Sequence, residues 1–366
     1  MQQIILEFVA VHLRIYGYGL MLVLGFLSGI ALARWRARRF GEDPNIIPTL
    51  GLLALVGGVA GARLAYVIEK WSEEFAYAPS QFRAMIDITS GGLIYHGGVA
   101  LAIALVMGYL LVRGLPVRRF LDILMPSMMV GLAFGRAGCL LNGCCYGGPC
   151  RAEFPLAMTF PYASRPLLKV GSEGNLYGSS SISPVFARQA GVGPQAGGLA
   201  VEDLPGWLWR RDALGELARD QHRRPLLKAP SDLTDEQAHE AMHLRSRPVQ
   251  PAQAYGIVNA LLIAALLIGL SRLRRREGML MVWTLAMYPV TRFVLESIRG
   301  DNPHNLFELK LTHNQYTAIG MIGVGVALWL VFRLMPASSG PTWKQRLAAV
   351  AIPPRHANRQ RKGRQT

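Results

Sequence analysis

An all-α polytopic membrane protein of about seven transmembrane helices, interrupted by one extracytoplasmic head insert, is the fold class the sequence predicts. Three observations predict it. Apolar runs of roughly 20 residues, long enough to cross a bilayer, recur along a chain of 366 residues that averages only 51% hydrophobic. Basic residues, which leave a net charge of +16, gather in clusters between or after those runs. One long polar stretch, 143–250, separates the fourth run from the fifth.

The predicted spans are 17–34, 49–68, 92–112, 120–142, 252–270, 279–299 and 314–335. The first opens too late, and has too many successors, for a cleaved signal peptide. Arg34, Arg36, Arg38 and Arg39 follow the first span, and Arg113, Arg118 and Arg119 follow the third. Arg272, Arg274, Arg275 and Arg276 follow the fifth, and the tail carries Lys344, Arg346, Arg355, Arg359, Arg361, Lys362 and Arg364. Seven spans place every cluster on one side, which the positive-inside rule makes cytoplasmic, with the N-terminus out and the C-terminus in. So basic a soluble protein would suggest nucleic acid. Beside membrane spans, anionic lipid headgroups are the simpler partner, and no nucleic acid is expected.

The expected organisation is 1–142 for the first four helices with a periplasmic loop at 69–91, then 143–250 for the head. The last three helices occupy 251–335, and 336–366 is a basic cytoplasmic tail. The head is Gly/Ser/Pro-rich from Gly171 to Gly198, which predicts loops. Thr234 and Gln237 have the spacing of a capping box before a helical run at 235–244. The head reads as a variable insert without chemistry of its own, and no solenoid-type repeat is visible.

Polar residues inside the spans point to a site. An arginine at the centre of a membrane helix costs about 2.5–3.5 kcal/mol, so its retention needs a compensating role. Arg63 lies late in the second span, Arg136 inside the fourth, and Arg292 and Glu296 inside the sixth, with Arg299 one turn further on. His96 opens the third span beside Gly97-Gly98. On the predicted topology Arg63, His96, Arg136 and Arg299 fall toward the outer half of the membrane, and Arg292 lies deeper. Converging guanidinium groups there suit an anionic phosphate, which their planar forks bind bidentately. Plainer readings stand beside this: an intrahelical Arg292–Glu296 pair, an Arg63 that snorkels to the interface, and a His96 that is merely hydrogen-bonded. Gly91-Gly92, Gly97-Gly98, Gly135, Gly138, Gly143 and Gly147-Gly148 cluster at similar depth and allow close helix approach. Cys139, Cys144, Cys145 and Cys150 all lie at the outer end of the fourth span. An oxidising exterior makes one or two disulfides the expected state; metal ligation, against which stand the absence of a C-x-x-C spacing and of a second cluster, a nucleophile and inert packing are the alternatives.

The stretch Gly135-Arg136-Ala137-Gly138-Cys139-Leu140-Leu141-Asn142-Gly143-Cys144-Cys145-Tyr146-Gly147 resembles the signature of the prolipoprotein diacylglyceryl transferase family, roughly G-R-x-G-N-F-x-N-x-E-x-x-G. Further resemblances follow in the order that family requires. They are Tyr18-Gly19-Leu20-Met21, His96-Gly97-Gly98, Asp122 with Pro126, Pro251-x-Gln253-x-Tyr255, Arg292-Phe293-x-x-Glu296-x-x-Arg299, and Gln315. Together they cover about 18–335 outside the insert. Three positions depart from the pattern: Cys139 stands for an asparagine, Cys144 for a glutamate, and Gly256 for the glutamate usual after P-x-Q-x-Y.

The resemblance implies transfer of a diacylglyceryl group from phosphatidylglycerol to the lipobox cysteine of prolipoprotein signal peptides in a bacterial inner membrane. The products would be a thioether and glycerol 1-phosphate. It implies His96, Arg136 and Arg292 as catalytic residues, and Tyr18, Arg136, Asn142, Gly147, Glu296 and Arg299 as substrate-binding residues. Neither a cofactor nor a metal is expected. The residue types suit that chemistry, because a thiol of pKa about 8.5 needs a base and a phosphate leaving group needs cations. Two other classes remain open: a transporter, which usually shows internal repeats, and a catalytically silent relative that binds lipoproteins.

Overall fold

The computed structural model describes residues 4–8, 13–76, 80–87, 92–163, 168–170, 182–191, 198–220, 224–299, 311–338 and 340–351. Gly91, much of the glycine-rich stretch after Gly171, and Arg355, Arg359, Arg361, Lys362 and Arg364 of the tail lie outside the described residues. The helices are α1 (Gly17–Phe40), α2 (Ile46–Glu69), α3 (Gln81–Ile86), α4 (Tyr95–Val112), α5 (Val117–Asn142), α6 (Pro184–Gln189), α7 (Asp235–Ala241), α8 (Ala252–Leu270), α9 (Met279–Ile298), α10 (His313–Leu334) and α11 (Trp343–Ala351).

Among the described residues six helices are long and apolar enough to cross a membrane: α1, α2, α4, α5, α8 and α10. The architecture is that of a polytopic α-helical membrane protein. The sixth predicted span, 279–299, coincides with the 20-residue α9, which carries Arg292 and Glu296 and is not among the six. Among the described residues three short strands accompany the helices. β1 (Ile4–Phe8) pairs antiparallel with β2 (Leu13–Tyr16) and parallel with β3 (Leu168–Val170), in the order β2-β1-β3. The sequence reading had no strand there.

The chain divides into two compact units. The second comprises Gly29–Ser127, Leu270–Met281 and Trp329–Thr366. In it α2 and α4 pack along a seam of small residues. A Cβ on Gly97 would lie 2.6 Å from the Gly61 carbonyl oxygen, and one on Gly98 would lie 2.5 Å from that of Gly58. The backbones therefore touch, the arrangement that small residues permit between membrane helices. Gly97→Val is expected to cost about 1–3 kcal/mol by overpacking and to lower the melting midpoint in detergent. Gly108→Val, on the same helix with open space around it, should leave the midpoint unchanged.

Several arginines of the basic clusters are held in specific buried contacts. Arg36 is 1% exposed and donates to the Asp122 and Ile123 carbonyls at 3.0 and 3.1 Å. This contact lies within the six residues by which α1 outruns its predicted end. Arg119 pairs with Glu42 and, at 2.7 Å, with Glu277. Asp122 is fully buried and caps the start of α9 from outside that helix. It accepts the Gly278 and Leu280 N–H groups at 2.8 Å and pairs with Arg274 at 2.5 Å. It thus satisfies donors that a helix N-terminus leaves unpaired.

The first unit comprises Met1–Ser28, Met128–Gly269 and Val282–Leu328. Within it, residues of the 143–250 segment have a core of their own, in which Tyr162, Phe186, Leu204, Leu208 and Trp209 are buried. The Thr234–Gln237 capping box forms reciprocally, with bonds of 3.2 and 3.3 Å, and opens α7. Burial pushes the Tyr162 hydroxyl well above the usual tyrosine range; its O–H donates to the Lys228 carbonyl.

Candidate active site

Residues Tyr288, Arg292 and Glu296 recur every four positions along α9, so they share one helical face. Glu296 is fully buried at the far end of that face. One of its oxygens takes Arg292 at 3.0 Å and Arg299 at 3.5 Å. The other accepts Asn314 at 2.8 Å and Thr312 at 3.5 Å. Thr312 and Gln315 form a reciprocal cap on α10, with bonds of 2.9 and 3.3 Å, which fixes the segment that supplies Asn314. The predicted Arg292–Glu296 pair is real, and it belongs to a network spanning two helices.

Arg136 approaches the same region from α5. Its side chain lies over Gly256, where a Cβ would be 3.2 Å from its Cγ and Cδ. Among the described residues no carboxylate pairs with Arg136. Arg136, Arg292 and Arg299 line one cavity with Tyr288, Asn259 and Cys145, over an apolar floor of Leu132 and Leu295. The cavity opens to solvent, and together with that open space it comprises about 370 Å³ free of atoms. Among the described residues three guanidinium groups line it and one nearby carboxylate, Glu296, pairs with two of them, so the described lining is net positive and suits an anion.

A hydrogen-bonded seam fixes the chain leaving α5. Gly147 N–H donates to the Gln250 carbonyl at 2.9 Å, Gln250 N–H to Gly148 at 3.0 Å, and Gly148 N–H to Ile298 at 2.8 Å. Gly147 also bridges to Arg299. A Cβ at Gly147 would lie 2.6 Å from the Gln250 Cβ, so this close pairing needs glycine. Between α5 and the seam, Gly143 (φ 72°) and Cys145 (φ 59°) turn the backbone back on itself. Cys144 N–H then reaches the Cys139 carbonyl at 3.1 Å. All four cysteines are free thiols, so the expected disulfides are not formed. Instead the Cys139, Cys144 and Cys145 sulfurs lie within 4.8 Å of one another.

Of the site residues expected from sequence, Arg136, Arg292, Glu296, Arg299 and Gly147 meet around this cavity and seam. Asn142 reaches the cysteine turn, where its side chain hydrogen-bonds Cys144. Tyr18 packs its ring against Gly138, where a Cβ would lie 2.9 Å from its Cδ2. His96 lies in the second unit, on the first turn of α4, edge-on to Tyr95 with ring centroids 5.7 Å apart. Arg63, in the same unit, is buried and donates to the Ala84, Met85 and Gly92 carbonyls at 2.6, 2.9 and 3.1 Å. Arg63 therefore anchors the chain before α4. Asn259, Tyr288 and Asn314 were not anticipated. Tyr288 could have been, since it precedes Arg292 by one helical turn.

Comparison with known families matches residues 3–331 to the one described as prolipoprotein diacylglyceryl transferase. The chain belongs to that family. A phosphatidylglycerol–prolipoprotein diacylglyceryl transferase of Rhodopirellula baltica is 29% identical over 380 residues, covering 91% of this chain and 75% of its own. One from Bdellovibrio bacteriovorus is 27% identical over 340 residues, covering 90% of this chain and 92% of its own. One from Synechococcus elongatus is 33% identical over a shorter stretch of 161 residues, 44% of this chain and 54% of its own. Against the family signature, the departures at Cys139, Cys144 and Gly256 fall together. Cys139 and Cys144 are in the thiol group, and Gly256 lies beneath Arg136.

Proposed function

We infer that this chain transfers the diacylglyceryl group of phosphatidylglycerol to the lipobox cysteine thiol of prolipoproteins, the first step of lipoprotein maturation. Family membership supports the reaction class. The observation that carries the assignment of the site is the cavity lined by Arg136, Arg292 and Arg299, two of which share the Glu296 carboxylate. Phosphatidylglycerol enters such a site as a phosphodiester monoanion and leaves as a monoester with more charge. A cationic wall therefore stabilises the transition state more than the ground state.

In this reading the thiolate attacks the glyceryl carbon, the carbon–oxygen bond to phosphate breaks, and glycerol 1-phosphate departs. Arg136 and Arg292 neutralise the departing phosphate, with Arg299 beside them. Tyr18 and Asn142 orient headgroup oxygens, and the bare backbone at Gly147 lets the headgroup come close. Glu296 holds Arg292 and Arg299 in place, and His96 receives the thiol proton. The membrane frame proposed with it has α9 as a seventh span, the N-terminus outside and the C-terminus in the cytoplasm of a bacterial inner membrane. Residues 143–250 then form an extracytoplasmic head, 69–91 a periplasmic loop, and 336–366 a cytoplasmic tail.

Purified protein, phosphatidylglycerol and a lipobox peptide, read by mass, test the assignment. A gain of one diacylglyceryl unit with release of glycerol phosphate is the expected result. No product, beside an active relative in the same detergent, would leave the silent-relative reading in its place. His96→Asn should lower the rate by about 10²-fold, the lower range for loss of a general base; an unchanged rate removes His96 from proton transfer.

A further inference from the structure

We propose that Cys139, Cys144 and Cys145 bind a zinc ion whose fourth coordination position receives the acceptor thiol of the prolipoprotein. The inference rests on the transferase reading of the adjoining cavity and adds to it a metal and a means of activating the thiol. Three sulfurs within 4.8 Å of one another are already near a ligand set, since zinc–sulfur bonds of about 2.3 Å place tetrahedral sulfurs about 3.8 Å apart.

The surrounding chain is built to hold them. Cys139 sits on the last turns of α5, and the left-handed residues Gly143 and Cys145 turn the following thiols back toward it. A non-glycine residue keeps such a conformation only where its surroundings over-determine it. Here the Cys144–Cys139 backbone bond and the seam at Gly147 do so. Asn142 hydrogen-bonds Cys144, the kind of outer contact that orients metal ligands. Three thiolates around Zn²⁺ carry one net negative charge, and Arg136 and Arg299 line the same cavity as Cys145.

Three protein ligands and one open position are the pattern of a reactive zinc site rather than a closed structural one. A thiol that enters the open position is bound as thiolate. Its proton leaves to a base, and the sulfur lone pair attacks the glyceryl carbon of the donor. The carbon–sulfur bond forms as the carbon–oxygen bond breaks, and that electron pair departs on the phosphate oxygen of glycerol 1-phosphate. Nothing is oxidised or reduced. The product thioether is neutral, a weak ligand, and leaves the metal. Transfer through one of these cysteines would instead end in a stable thioether on the enzyme.

The test uses the full chain, purified in detergent with reductant and without chelator, analysed for zinc and then reconstituted with Co²⁺ as an optical probe. About one zinc per chain and a tetrahedral thiolate–cobalt spectrum are expected. A lipobox peptide should perturb that spectrum, and the same peptide with cysteine replaced by serine should not. Cys139→Ser, Cys144→Ser and Cys145→Ser should each weaken metal binding at least about tenfold, whereas Cys150→Ser should match wild type in metal content and transfer. Absence of zinc and of a cobalt spectrum in the wild type overturns the proposal, as does full retention of metal by the three variants. Wild type that stays fully active when stripped of metal overturns it while leaving the transferase reading intact. Zinc held at the three thiols in a protein that transfers nothing overturns both.

Discussion

Arg136→Ala is expected to lower diacylglyceryl transfer by a factor of about 10²–10³, the usual cost of removing a preorganised partner of developing negative charge. Arg136 differs from its neighbours in how it is compensated. Arg292 and Arg299 share Glu296, whereas among the described residues no carboxylate pairs with Arg136. Its charge is therefore available to a phosphate. Its removal also relieves the chain of an intramembrane cation that costs about 2.5–3.5 kcal/mol. The variant should insert, fold and melt at or above the wild-type midpoint while losing turnover. Arg136→Lys keeps a point charge without the bidentate fork and should fall between the two. A fully active alanine variant would take Arg136 out of the mechanism.

Glu296→Gln is expected to act in the opposite sense, on the fold first. The carboxylate is fully buried and answers Arg292, Arg299, Asn314 and Thr312 together. Neutralising it removes the carboxylate that Arg292 and Arg299 share, and breaking a buried pair in this way costs about 3–5 kcal/mol. The melting midpoint in detergent should drop, and transfer with it, because both arginines lose their fixed positions. Adding Arg292→Met should recover part of the stability by deleting one stranded charge, without recovering transfer. A single variant that melts like wild type would show that the network does not need the charge of Glu296.

The membrane helices were legible because lipid imposes a simple demand: long apolar runs with every backbone group satisfied internally. The end of α1 was less so. Arg34 to Arg39 read as charges marking a membrane side, yet Arg36 is buried on the Asp122 and Ile123 carbonyls and the helix runs on to Phe40. No local pattern names a partner nearly ninety positions away. The same limit hid the pairing of β1 with β3 and the Ser246 hydroxyl that accepts the Phe160 N–H. In the site, the arginines and Glu296 stood out because charge is rare in apolar helices. Asn259 and Asn314 did not, since single amides there look like ordinary packing. The cysteines were ambiguous for another reason. Their spacing allows bridges or a cluster, and the left-handed turn at Gly143 and Cys145 that decides between them has no signature in composition.

The seam that closes below the head has an evolutionary consequence. Cys150 N–H meets the Pro248 carbonyl at 3.0 Å, and Pro149 pairs with Val249, so the roughly hundred residues between them leave and return at one point. Once both ends of a segment are pinned, doubling its length adds only about 0.6 kcal/mol of closure entropy. The head can therefore be enlarged, trimmed or exchanged among relatives without shifting the register of Arg299 or the cysteine turn beneath it. A segment grafted between Pro149 and Val249 therefore inherits a ready-made socket.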